Sequence, residues 1–301
     1  MKENLLLSAF ALDFAAKPRP DVLYHYTSAE ALLSIVSSGR IRATHIDYLN
    51  DSSEVEWMWR AVNSQLEHMK LSEDRQRSEY AAQILEKIAE RRRLNEFVSS
   101  FSENGDDLSQ WRAYCPSGLG YSIGFDSAAL STQWVSDPNG GNPAFVGGSL
   151  RKIRYLGDEE ASALAEELDD AMKFSPSIKE GFNGPVSKED VFVAIIGNVA
   201  PSIKHPAFMG ESEWRLILTK PHKEMPFQRF RPGKSAIVPY VEAILNRDLE
   251  FNMPAGYMIS RVIIGPTPNP ELSIRALESL FKSVGQFGVQ IEPSGVPYRN
   301  W

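Results

Sequence analysis

Cysteine is nearly absent from this chain: Cys115 is the single thiol in 301 residues. One thiol excludes an internal disulfide and a cysteine-based zinc site, the usage expected of a reducing cytoplasm. An excess of basic charge is absent as well. Lys and Arg number 32 against 39 Asp and Glu, a net charge of −7, which argues against broad electrostatic capture of nucleic acid or of an anionic membrane. The densest basic run, "ERRRLNE" around Arg91 to Arg93, reads as a solvated helix face. No window approaches ~18 uninterrupted apolar residues, so no membrane-spanning segment is expected. The five histidines lack paired spacing of the His-Glu-x-x-His kind. "IIGP" at Gly265–Pro266 reads as a strand end, with no Gly-x-Gly or Gly-Lys-Ser pattern accompanying it. A metal is therefore not expected.

What is present belongs to an ordinary globular protein. Apolar residues make up 43% and charged residues 24%, at a length that suits one large domain or two closely packed ones. Residues 1–20 read as an amphipathic helix and linker stopped by "KPRP". "DVLYHYT" reads as a strand. Ala29, Leu32, Leu33 and Val36 then share a helical face, capped by Ser28 and stopped by Gly39. Asn50 and Asp51 read as the cap of a helix whose buried stripe is Val55, Met58, Val62, Leu66 and Met69. A charged helix around Tyr80 to Glu96 leads into the strand "FVSSFS", and "LSQWRAYC" reads as a short helix. "GYSIGFD" is expected as a strand, Ser127 to Gly148 as a long surface loop, and "RKIRYL" as a strand. An acidic helix from Asp158, the helix "EDVFVAIIGNVAPSI", the strand "ESEWRLILT" and a closing strand–helix–strand unit complete the pattern. Strands and helices mix without regular alternation, which predicts an α+β fold rather than a doubly wound one.

Three of these strands carry polar side chains on one face. His25 and Thr27 are two apart. Ser100 and Ser102 share a face in "FVSSFS", with Phe101 pointing the other way. Glu211, Glu213 and Arg215 project together from "GESEWR", where two like charges at that spacing require a cation or a substrate between them. Each cluster by itself has an ordinary structural explanation: a satisfied histidine, an edge-strand serine row, an exposed ion-pair ladder worth ~0–1 kcal/mol. Trp111 and Tyr114, at helical spacing, read first as core residues. In this order along the chain the clusters point to one site.

The order "LYHYTS", "SSFS" and "ESE" resembles the ADP-ribosyltransferase fold. The wider chain, from Leu23 to Arg299, resembles a bacterial family of unknown function related to AbiGi-like abortive-infection proteins. Its landmarks are "YHYTS", "YLNDSSE", "SFSENGDDLSQWRAY", "YSIGFD", "KHPAFMGESEWRLIL", "VIIGP" and "SGVPYR". The resemblance implies a mostly antiparallel split sheet flanked by helices, with residues 21–301 as one domain carrying helical insertions. It implies NAD as substrate. Glu213 would be the catalytic acid and Glu211 would align the acceptor. His25 and Thr27 would hold the ribose end, with Ser100 and Ser102 supporting, and Tyr114 or Phe101 would stack on the nicotinamide. "SSFS" with "ESE" departs from the family in one respect, because transferases with that pair open with arginine where this chain has His25. The acceptor, whether protein, nucleic acid or small molecule, is left open, as is a setting in phage defence or as a toxin. Two other readings stand beside it: a non-catalytic sensor on the same fold, and a metal-dependent hydrolase using Glu211, Glu213 and His205. The transferase reading requires His25, Ser100 and Glu213 to surround one cleft, with His25 and Glu213 on the same side of the sheet.

Overall fold

The computed structural model describes residues 18–49, 53–91, 96–115, 120–130, 134–160, 162–163, 187–220, 224–233, 235–245 and 258–298. The expected N-terminal helix, the Asn50–Asp51 cap, Arg92 and Arg93, and most of the acidic helix after Asp158 lie outside them. The chain divides into two compact units. One is drawn from Ile46–Leu94 and Lys152–Met209, the other from Pro18–His45, Asn95–Arg151 and Gly210–Trp301.

The strands are, in chain order, β1 (Val22–Ser28), β2 (Arg40–His45), β3 (Glu96–Ser102), β4 (Gly120–Asp126), β5 (Trp134–Val135), β6 (Ala144–Phe145) and β7 (Gly147–Lys152). After them come β8 (Arg154–Tyr155), β9 (Ile203–Lys204), β10 (Glu213–Thr219), β11 (Arg229–Pro232), β12 (Ile237–Ile244), β13 (Ile259–Ile264) and β14 (Gln290–Pro293). The first unit is mainly helical. Helices Ser53–Lys70, Arg75–Arg91 and Lys188–Val199 enclose a core of Met58, Val62, Leu66, Ile84, Phe192 and Ile196, beside the short parallel pair β8–β9. Met58, Val62, Leu66 and Met69 are buried at helical spacing, as the sequence pattern requires.

The second unit holds the remaining twelve described strands in one open sheet, antiparallel at the pairings that matter here and parallel at β13–β14. The fold is thus α+β, with a large, mostly antiparallel sheet and several helices. β1 and β2 are joined by helix Ala29–Ser38. Ser28 Oγ accepts from Ala31 N, and Gly39, in the left-handed region at φ 64°, donates its N–H to Ile35 O. Only glycine occupies that region without a steric penalty. Leu32, Ile35 and Val36 form the buried face, while Leu33 is exposed. Leu33 was expected inside and lies one position off the stripe.

Two further departures are instructive. The stretch Ser127–Gly148 is not a free loop: it contains a 3-10 turn at Ser127–Leu130 and the strands β5 and β6. Leu130, Val135 and Val146 are fully buried, so single apolar residues spaced among prolines and glycines anchor it to the core. The hairpin β11–β12 was not anticipated, because Pro239 interrupts the apolar run that becomes β12. Proline is tolerated there opposite Phe230, next to the strand start.

The site is made by the way β3 is shared. One edge of β3 pairs with β10 along its full length, from Glu213↔Ser102 to Thr219↔Glu96. The other edge is divided. β1 takes its C-terminal end through Tyr24↔Ser102, and β2 takes its N-terminal end through Thr44↔Val98 and His45↔Phe97. Between them Ser99, Ser100 and Phe101 face the gap where β1 and β2 separate.

Candidate functional site

A pocket of about 80 Å³ opens at this fork, lined by Tyr24, His25, Tyr26, Ser100, Phe101, Ser102, Gln110, Tyr114, Glu211 and Glu213. Its walls come from β1, β3, the start of β10 and helix Leu108–Tyr114. Residues about 75 to 110 apart in sequence meet because the two halves of the sheet diverge from a common strand.

In the gap His25 replaces a ladder bond. Its Nδ1 lies 2.9 Å from Ser100 O. A carbonyl can only accept, so Nδ1 carries the proton and, in the neutral ring, Nε2 is an acceptor. Burial lowers the His25 pKa, outweighing the Ser100 hydrogen bond that raises it, so the ring is neutral at pH 7. With the proton on Nδ1, Nε2 of the neutral ring can accept a hydrogen bond but cannot donate one.

Strand register decides which faces are used. Glu213 sits opposite Ser102, and Arg215 opposite Ser100. Paired residues of an antiparallel ladder share a face, so these four project together with Tyr24. His25, next to Tyr24, projects from the other face, where its ring lies 5.7 Å from that of Phe101. The expectation that His25 and Glu213 share a face is corrected. They line one pocket because it passes through the fork.

Glu213 and Arg215 form a bidentate pair, Arg215 Nε to Glu213 Oε1 at 2.7 Å and Arg215 Nη2 to Oε2 at 3.1 Å. Both are deeply buried, 4% and 1% exposed. The cation demanded by the clustered acids is thus Arg215 itself. The pair holds the carboxylate plane in one orientation.

Glu211 is not on the strand. It ends the 3-10 turn Pro206–Glu211, and Ser212, at φ 44°, turns the chain before β10 begins at Glu213. Glu211 still lines the pocket, and its carbonyl accepts from Ser102 Oγ at 2.8 Å. Ser102 Oγ also accepts from Asn104 N, so this hydroxyl shapes the pocket wall. Thr27 is not part of the site. It is buried, opposite Tyr121, and its carbonyl faces the Cys115 thiol at 3.6 Å. Phe101 lines the pocket from the core, edge-on to Phe125 at 6.0 Å. Tyr114, 41% exposed, stands at the rim and not in the core.

The loop after β3 folds over one side. Tyr26 OH donates to Asn104 O and accepts from Asp107 N, both at 2.9 Å. Burial raises the Tyr26 pKa, with the Asp107 and Asp106 charges adding to it against the Asp107 N–H bond, so the phenol stays protonated. Asp106 accepts from Trp111 Nε1 (2.7 Å), Ser294 Oγ (2.5 Å) and Gly295 N (2.7 Å), and the Arg112 guanidinium lies over the Tyr298 ring. The motifs "SENGDDLSQWRAY" and "SGVPYR" are therefore partners in one tie. Tyr24, Tyr26 and Gln110 are pocket residues that sequence reasoning did not select. Gln110 precedes Tyr114 by four residues on one helix, a spacing that places both on one face.

Among the described residues no three of His, Cys, Asp and Glu gather closely enough to hold a metal ion, and no helix is long and apolar enough to cross a membrane. His205 Nδ1 accepts from Ala207 N and does not line the pocket. A family described as "Protein of unknown function (DUF2971)" matches residues 110–216, a stretch that starts at Gln110 and ends one residue past Arg215. No curated protein matches the chain.

Proposed function

We propose that the chain is an NAD-consuming ADP-ribosyltransferase working in the pocket at the fork of the sheet. The shared face required of His25 and Glu213 is not met; what carries this reading instead is that Glu213, Glu211, the His25 ring and Ser100, from three strands and a turn, line one pocket at the fork. Heterolysis of the C1′–N bond sends the bonding pair to the pyridinium nitrogen, which leaves as neutral nicotinamide. The ribose C1′ becomes an oxocarbenium-like centre, as in glycoside cleavage. A carboxylate held in a fixed plane stabilises that centre more than the ground state, and Arg215 fixes the plane of Glu213. The acceptor then bonds to C1′ and gives its proton to Glu211 as general base. His25 Nε2 accepts from a ribose hydroxyl, and Tyr114 supplies an aromatic surface at the rim.

The resemblance to ADP-ribosyltransferases and to AbiGi-like proteins supports this reading and supplies the setting in phage defence. The acceptor is a protein, a nucleic acid or a small molecule. Purified protein incubated with NAD is expected to release nicotinamide, and Glu213→Gln to release it at least ~10²-fold more slowly per folded molecule. Wild-type protein that leaves NAD intact under all acceptors overturns the reading.

A second reading, a non-catalytic binding module, is favoured by one observation: a carboxylate in a buried bidentate pair is also how a structural ion pair is built. Ligand binding with no turnover, unaffected by Glu213→Gln in a folded variant, would select it.

A further inference from the structure

Gln110 is 6% exposed and lines the pocket. Its backbone N–H caps onto Asp107 Oδ1, but among the described residues its side-chain amide has no hydrogen-bond partner. A primary amide carries two donors and an acceptor, and here they face the pocket, where water or a ligand can answer them. The rings of Tyr24, Tyr26 and Tyr114 line the same pocket and offer faces and edges to a flat group. The main-chain bond at Asp107 Oδ1 and the helix Leu108–Tyr114 set its backbone position, so the amide projects from a fixed base.

We infer that Gln110 is the specificity-determining residue of the pocket and pairs its amide with a planar primary carboxamide on the ligand. The inference rests on the NAD reading above, in which that carboxamide belongs to nicotinamide. Two primary amides are self-complementary: the Gln110 N–H donates to the ligand C=O while the ligand N–H donates to the Gln110 C=O. A carboxylate in place of the carboxamide has no N–H. It still accepts from Gln110 but sets one of its oxygens against the Gln110 carbonyl oxygen. The site should therefore discriminate nicotinamide from nicotinate, and NAD from nicotinic acid adenine dinucleotide. Glu211 and Glu213 also disfavour an anionic ligand, so the preference alone does not isolate Gln110. Its loss on removing the amide does.

The test compares glycosidic cleavage of the two dinucleotides, and calorimetric binding of free nicotinamide and nicotinate, in wild type, Gln110→Met and Gln110→Leu. Both replacements are apolar and of similar size. A ratio of rates on one preparation cancels the folded fraction, so a destabilised variant still reads out. The wild type is expected to prefer the carboxamide by on the order of 10²-fold, below the 10⁴–10⁵ of fully enclosed hydrogen-bonding sites because this pocket is open. Both variants are expected to bring the preference to within about tenfold, the residue left by the two acids. Cleavage of NAD with no preference in the wild type, or with the wild-type preference kept in both variants, overturns the role of Gln110 and leaves the NAD reading standing. Neither cleavage nor binding of either dinucleotide overturns the NAD reading, and this inference with it.

Discussion

Arg215 reaches back along its own strand to Glu213, two residues earlier, and closes both hydrogen bonds of a bidentate pair at 2.7 and 3.1 Å. Two residues is the repeat of a strand, so the pair needs no help from tertiary structure to share a face. Its burial is what gives it consequence. Glu213→Gln, which would be near-neutral at an exposed position, leaves the Arg215 guanidinium buried without its anion. It is expected to lower unfolding free energy by about 3–5 kcal/mol. Urea denaturation of Glu213→Gln, Arg215→Met and the double variant should show strong coupling, with the double variant more stable than Glu213→Gln. Additive losses would mean the pair does not act as a unit.

His25 makes stability depend on pH. Its folded pKa is lowered by burial from an unfolded value near 6.5. Stability is full above the unfolded pKa and falls as pH drops through it toward the folded one, where the unfolded chain binds the extra proton. Thermal midpoints between pH 7.5 and 5.5 should decline less steeply in His25→Gln than in wild type. Parallel slopes would show that His25 titrates alike in both states.

Gly105 lies against the Tyr24 ring, where an added Cβ would come 2.4 to 2.8 Å from three ring carbons. Gly105→Ala should push the loop or the ring aside, with a stability loss of about 1–3 kcal/mol and a changed affinity at the pocket that Tyr24 lines. A variant with wild-type melting and wild-type binding would show the loop yields freely.

Cys115 is buried, and burial pushes its thiol pKa up to about 12. Only the thiolate reacts with alkylating reagents. At pH 8 the native protein should resist iodoacetamide and label only on unfolding. Rapid labelling of the native protein would place the thiol at the surface.

Glu211 tests whether the two acids have separate tasks. Glu211→Ala should still release nicotinamide, with water as nucleophile, but transfer little labelled ADP-ribose to a lysate. Equal loss of both activities would make Glu211 and Glu213 one unit.

Local pattern alone was enough for much of this. The Ser28 cap, the Gly39 stop and the stripe Met58–Val62–Leu66–Met69 follow from rules acting over a few residues, and His25, Ser100 and Glu213 could be selected for spending polarity on strands; the alternation in "EWRLILT" suggests a half-buried strand, but β10 is buried on both faces. What only the tertiary structure decided is how those strands meet. Sequence periodicity assigns a face within one strand but cannot relate the faces of two, because that depends on register. Register set Tyr24, not His25, beside Ser102 and Glu213, and took Thr27 away to Tyr121. The sharing of one β3 edge between β1 and β2 opened the gap. Gln110 entered the pocket by the same route, since nothing in "LSQWRAY" says that its glutamine would be buried beside a fork in a sheet formed by residues up to about a hundred positions away.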